Sequence, residues 1–229
     1  MLKISIPGLI LFSLLFTVQA QAQTWVPGYF YGVQGNKETG LIKFKTSARG
    51  PVKGEAFIEF KEDAKAKPIP LSASDLSSFV MGRDSFVVAA APRMGAWSNN
   101  ELDFVKVVLD EDLKLYMFRG GSSGGGGIQP DLGIGIGGGF GGGGGGFGGG
   151  IGGGISIPLG GGNRNKITYY FGANTAEMKV LTPANFIDVM AQIMGDEPDV
   201  VDALHQGKYN LGNMDKLIAY FDKLQEGNN

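Results

Sequence analysis

Residues 120–162 constrain this chain more than any other feature, because the stretch lacks the side chains needed to build a packed core. It holds 26 glycines in 43 residues and one charged side chain, Asp131. Ten Ile, Leu and Phe residues are scattered through it, as in Gly133-Ile134-Gly135-Ile136 and Gly146-Phe147-Gly148. Fixing each backbone residue costs about 1–2 kcal/mol, with glycine at the upper end, and so few apolar side chains do not offset that. A disordered loop is therefore expected. Aromatic, strand-like segments flank it at 113–118 and 166–171, so it reads as an oversized loop between two strands of one domain. Closure entropy grows only logarithmically, and a loop of this size costs about 2 kcal/mol more than a four-residue one. Its chain dimension is about 35–40 Å.

Residues 1–22 have the layout of a secretory signal peptide. Lys3 gives the positive start, residues 4–18 are mostly apolar, and two small-x-small sites follow, Val18-Gln19-Ala20 and Ala20-Gln21-Ala22. The apolar run contains Pro7 and Gly8 and is short for a membrane span, so no transmembrane span is expected in the mature chain. The expected location is outside the cytoplasm: periplasm, cell surface or medium. With no cysteine, the exported chain has neither disulfides nor a lipid-modified cysteine.

Charge excludes one class of partner. Residues 23–119 carry 13 basic and 12 acidic side chains, and residues 163–229 carry 6 and 9. Neither part has the basic excess that nucleic-acid binding requires.

In chain order, residues 25–33 are aromatic and β-prone, Gln34-Gly35-Asn36-Lys37 supplies a turn, and 41–44 returns as a strand. Residues 55–60 alternate, with Phe57 facing away from Ile58 and Phe60. Pro68-Ile69-Pro70 has loop chemistry. Ser72 or Ser74 caps a single helical turn before Leu76. Residues 79–81 and 85–88 form a hairpin about Gly82-Arg83-Asp84. A loop over 92–100 centres on Trp97, and 104–109 pairs with 113–118 through Asp110-Glu111-Asp112. After the glycine tract, 167–171 and 178–181 make a last hairpin. Thr182-Pro183 then opens a helix, with Thr as cap and Pro at the first position, whose apolar face is Phe186, Ile187, Met190, Ile193 and Met194. A second helix turns Val200, Val201 and Leu204 inward. A third, capped by Asn213, turns in Met214, Leu217, Ile218, Phe221 and Leu224. Strands first and helices last predict an α+β fold: an antiparallel β-rich body, sheet or partly open barrel, followed by three C-terminal helices. Parts 23–119 and 163–229 belong to one domain interrupted by the tract.

Several motifs together carry a resemblance. Gly28-Tyr29-Phe30, a polar turn, and Gly40-Leu41-Ile42-Lys43-Phe44 come first. Ser74-Asp75-Leu76-Ser77-Ser78-Phe79 follows. Gly207-Lys208-Tyr209-Asn210 and Leu217-Ile218-Ala219-Tyr220-Phe221 lie near the end. This order resembles a group of uncharacterised secreted proteins common in Bacteroidota. The resemblance implies a signal peptide, a β-rich body and C-terminal helices, and it brings no catalytic residue. The glycine tract departs from it, standing where that group has a short hairpin loop.

The candidate chemistry is sparse. His205 is the only histidine, so a hydrolytic triad or histidine-rich metal site lacks its partners; near a helix C-terminus it reads as a surface residue favoured by the helix dipole. Asp196, Glu197, Asp199 and Asp202 form the densest acidic cluster, but acids are ordinary at a helix start and no ordered calcium loop is present. Asp110, Glu111 and Asp112 read as a polar hairpin tip. Gly133-Ile134-Gly135-Ile136-Gly137-Gly138 matches a dinucleotide fingerprint only because glycine is everywhere, and no helix follows it. Trp25, Tyr29, Tyr31 and Trp97 would line a glycan- or peptide-binding face if exposed, and would be core if not. Paired carboxylates from Glu55, Glu59, Asp103 and Asp110 would serve an extracytoplasmic hydrolase if two of them met in a cleft. No convergent catalytic, cofactor or metal set emerges. The leading expectation is a non-enzymatic envelope or secreted structural or interaction protein displaying a flexible glycine-rich loop, with self-association through that loop as one role.

Overall fold

The computed structural model describes residues 25–45, 50–94, 97–119 and 167–227. The expected signal peptide at 1–22 and the glycine-rich loop at 120–162 lie outside the described residues. The fold is α+β, a ten-stranded antiparallel sheet followed by helices. The strands are β1 Val26–Gly32, β2 Lys37–Lys45, β3 Phe57–Lys61, β4 Ile69–Ser72, β5 Leu76–Met81, β6 Asp84–Ala90, β7 Leu102–Leu109, β8 Lys114–Arg119, β9 Ile167–Gly172 and β10 Lys179–Val180. Helices α1 Phe186–Ile193, α2 Pro198–His205 and α3 Met214–Gly227 follow. Across the sheet the order is β10-β9-β8-β7-β6-β5-β1-β2-β3-β4. Both flanks of the glycine tract enter it as neighbours, with Arg119 opposite Ile167.

The sheet rolls up at one end. Phe44 on β2 and Phe104 on β7 are four strand positions apart, about 19 Å in a flat sheet, yet their ring centroids are 5.8 Å apart. Between them Phe79 and Phe86 stack at 4.7 Å, and Phe79 meets Phe104 edge-on at 5.0 Å. The seam closes where Glu55 bridges Leu102 in parallel: Ala56 N–H donates to Leu102 O at 2.9 Å and Glu101 N–H to Gly54 O at 2.7 Å. Six strands, β1 to β3 and β5 to β7, thus wrap a core of Val26, Phe30, Ile42, Phe44, Ile58, Phe60, Phe79, Met81, Phe86 and Phe104. Partly open barrel is the apt description.

Register carries the same sheet face onward to the helices. Val88 lies opposite Phe104, and Lys106 opposite Met117, so Leu115, Met117 and Tyr169 extend the barrel's inner face beneath α1, α2 and α3. The helices bury Phe186, Val189, Met190, Val200, Leu204, Met214, Leu217, Ile218 and Phe221 against it.

Five local expectations change. Pro68-Ile69-Pro70 is not wholly loop: Ile69–Ser72 forms β4, the sheet's edge strand, where Pro70 opposite Glu59 needs to donate no hydrogen bond outward. Thr182-Pro183 does not start the helix. Residues 182–185 make a turn in which Asn185 N–H donates to Thr182 O at 3.2 Å and Asn185 Oδ1 accepts from Thr182 N–H at 2.7 Å, and α1 starts at Phe186. Within α1 the inward set is Phe186, Val189, Met190 and Ile193, an i, i+3, i+4, i+7 stripe, and Ile187 falls outside it, 37 % exposed. In α2 Ala203 is buried, while Val201 is only half-buried. Phe57 faces away from Ile58 as expected from alternation, but it is buried too, because Gly50 lies against its ring.

The β8–β9 pairing yields a first test. Replacing residues 121–162 by a Gly-Asn turn should leave a folded protein whose stability rises by up to about 2 kcal/mol from reduced closure entropy. Urea unfolding of both chains measures it, and collapse of the shortened chain would contradict the pairing.

Candidate binding face

β1 fills the barrel with its even-numbered side chains, Val26 and Phe30, so the pleat sends Tyr29 and Tyr31 to the outside. Tyr31 is 36 % exposed and Tyr29 half-buried. The partner strand places Lys37 opposite Tyr31 and Thr39 opposite Tyr29. One strand further, Lys61 lies opposite Leu41 and Glu59 opposite Lys43. Trp25, half-buried, directly precedes β1.

Each of these rings has an ammonium beside it. Lys37 Nζ sits 3.8 Å from the centroid of Tyr29 and 5.8 Å from that of Tyr31, and the two tyrosines meet edge-on at 5.8 Å. Lys61 Nζ and Lys43 Nζ lie 4.5 and 5.8 Å from the Trp25 ring. The ring quadrupole attracts each cation by about 0.5–1 kcal/mol at an exposed site. The outcome is a strip along the outer face of β1, β2 and β3, with three aromatic rings and three lysines.

The expected four-membered aromatic face therefore divides. Trp97 leaves it: its ring stacks on Phe118 at 4.4 Å, meets Tyr170 edge-on at 6.1 Å, and donates from Nε1 to Asn100 O at 3.1 Å. There it covers the outer-face cluster of Ala89, Val105, Tyr116, Phe118 and Tyr170. Sequence reasoning also missed the lysines of the strip. Lys37 and Lys43 share parity on β2, but Lys61 joins them only through the β2–β3 register.

The four carboxylates are distributed around the body. Glu55 accepts from Ser74 N–H at 2.9 Å beside the barrel seam. Glu59 is on β3 opposite Lys43. Asp110 is an exposed hairpin residue ion-paired with Lys114. It stands seven residues beyond Asp103, about 23 Å along a strand. Asp103 is 8 % exposed, accepting from Phe104 N–H at 2.8 Å and Asn100 Nδ2 at 3.0 Å. Burial pushes its carboxyl above the ordinary 3.8, while hydrogen bonds from Ser98, Phe104 and Asn100 pull the other way. Asp103 thus ties the 97–100 loop to β7.

A pH prediction follows with its sign. The native Asp103 binds its proton more tightly than the unfolded chain does, so its contribution to stability falls as pH rises from 3.8 through the higher folded value. Asp103→Asn should flatten that fall, and urea midpoints measured at intervals above pH 3.8 would read the difference between the two chains.

His205 is exposed in the last turn of α2. Asp196, Asp199 and Asp202 are exposed and Glu197 half-buried around its start. Among the described residues no three His, Asp or Glu side chains come together as metal ligands, and no helix is long and apolar enough to cross a membrane. The Gly133–Gly138 fingerprint lies outside the described residues. Comparison with known protein families, curated proteins and solved structures finds no match.

Proposed function

We propose that this chain is an exported, non-enzymatic interaction protein that holds an extended glycan across the outer face of β1, β2 and β3. The observation that carries this reading is the strip of Trp25, Tyr29 and Tyr31 on a rigid sheet face, lined by polar side chains. A pyranose presents an apolar C–H face and a rim of hydroxyls, and an amphipathic ring beside hydrogen-bonding groups complements both. Tyr31 on β1 and Trp25 just before that strand, six residues apart along an extended chain, define a track of about 20 Å, longer than one sugar ring. The signal-peptide layout of residues 1–22 supports the export part of this reading, and glycans are met outside the cytoplasm.

The test is calorimetric titration with oligosaccharides of increasing length. Affinity should rise with length until the track is filled. Trp25→Ala and Tyr29→Ala should each lower it at least tenfold, about 1.4 kcal/mol. Trp97→Phe, on the other cluster, should not. Absence of binding across neutral and charged oligosaccharides would end the proposal. The glycine-rich loop is proposed as a spacer or self-associating element. A light-scattering concentration series on the full chain and the 121–162 replacement checks this, and identical curves would remove the self-association role.

A further inference from the structure

Resting on that reading, we infer that the glycan is a polyanion: a polysaccharide bearing carboxylate or sulfate groups along its length. Over the whole sequence the net charge is −2, yet on the strip Lys37, Lys43 and Lys61 face outward with Glu59 as the carboxylate among them. A local cationic surface on a protein of slightly negative net charge draws an anionic chain to that face.

The lysines are placed for exchange. Each ammonium lies against a ring, at 3.8 Å for Lys37 on Tyr29 and 4.5 Å for Lys61 on Trp25. That contact is worth about 0.5–1 kcal/mol at an exposed site, and an exposed ion pair is worth about as much, so an arriving carboxylate or sulfate takes the ammonium from the ring at little net cost. The ring face it vacates is then open to the C–H face of the sugar bearing that anion. A neutral sugar must displace the lysine with nothing to offer it in return, so the same strip discriminates against uncharged glycans.

Spacing argues for a chain over a small anion. Lys37 and Lys43 lie six residues apart on one face of β2, about 20 Å. Lys61 shares the Trp25 ring with Lys43, so the cations form two poles with Tyr29 and Tyr31 at one and Trp25 at the other. One phosphate or one monosaccharide cannot bridge them; a linear polymer with repeating charge does.

The experiment titrates the full chain with polygalacturonate, dextran sulfate, neutral cello-oligosaccharide, a single-stranded DNA 20-mer, and phosphatidylcholine vesicles containing phosphatidylglycerol. One or both anionic polysaccharides should bind at least tenfold more tightly than the neutral one at low salt, and the advantage should shrink as sodium chloride is raised. Lys37→Gln and the pair Lys43→Gln with Lys61→Gln should each remove most of that advantage, and neutral binding should rise, because no ammonium then has to leave the ring. Lys→Arg at the same sites should keep it. Circular dichroism of each variant separates loss of binding from loss of fold. Equal, salt-insensitive binding of neutral and anionic glycans would overturn this inference and leave the glycan reading standing. Failure of every saccharide would overturn both. Binding of DNA or vesicles tighter than of either polysaccharide would also overturn it, in favour of a general polyanion or lipid surface.

Discussion

Alanine at Gly28 or Gly40 is expected to cost about 3 kcal/mol, the upper end of the overpacking range and a large share of a marginal stability. The two residues are direct partners on β1 and β2. A Cβ on Gly28 would stand inside the contact radius of the Val80 carbonyl oxygen and 3.1 Å from Ile42 Cδ1. One on Gly40 would collide with the Lys61 carbonyl oxygen and lie 2.7 Å from the Phe60 ring. Neither carbonyl can rotate away, because it belongs to the backbone of a neighbouring strand. Relief requires β1 to separate from β5, or β2 from β3, at the place where the sheet is rolling up. Glycine within a strand marks such a close approach. Gly35→Ala is the control. A Cβ at Gly35 would meet nothing within 4 Å, so the φ of +83° alone makes alanine cost about 1–2 kcal/mol. Denaturant midpoints for the three variants should separate the first two from the third. Equal small shifts in all three would show that the strands are not packed as closely as described.

Phe79→Ala is expected to cost about 3–5 kcal/mol, the range for deleting a buried aromatic ring. Phe79 sits at the centre of the barrel core, stacked on Phe86 at 4.7 Å and in contact with Phe104 at 5.0 Å and Phe44 at 5.9 Å. These four rings come from β2, β5, β6 and β7, so the cavity opens where strands distant along the sheet meet, and no single loop can collapse into it. Phe79→Leu, which keeps most of the volume, should cost less than half as much. The glycan binding proposed for the outer face should survive both substitutions at temperatures where the protein stays folded, since the strip uses the opposite side of β1.

The hairpins were legible because alternation and turn residues are local. Gly35 in the β1–β2 turn and Gly82 in the β5–β6 turn both have positive φ, in line with their turn chemistry. The helices were legible by period, although the phase of α1 was misjudged: Ile187 is as apolar as Val189, and only the position of Leu115, Met117 and Tyr169 beneath the helix selects the latter. Pro70 misled because proline argues against a strand everywhere except at an edge, and a segment does not announce that it is the edge. Trp97 misled for a related reason. Nothing near it in the chain shows that Phe118 and Tyr170 wait on adjacent strands to stack against it.

By itself the amino-acid order determined the class of fold, strands followed by helices. It also placed the glycine tract between two strands that pair, because period, turn chemistry and composition act over a few residues and need no distant partner. Tertiary structure alone decided that the sheet rolls until Phe44 meets Phe104, that Asp103 is buried under the 97–100 loop, and that Lys61 joins Lys43 at Trp25. Each of these depends on register and curvature summed over several strands. A shift of one residue in the β1–β2 or β2–β3 pairing would break the strip by sending one strand's side chains to the opposite face.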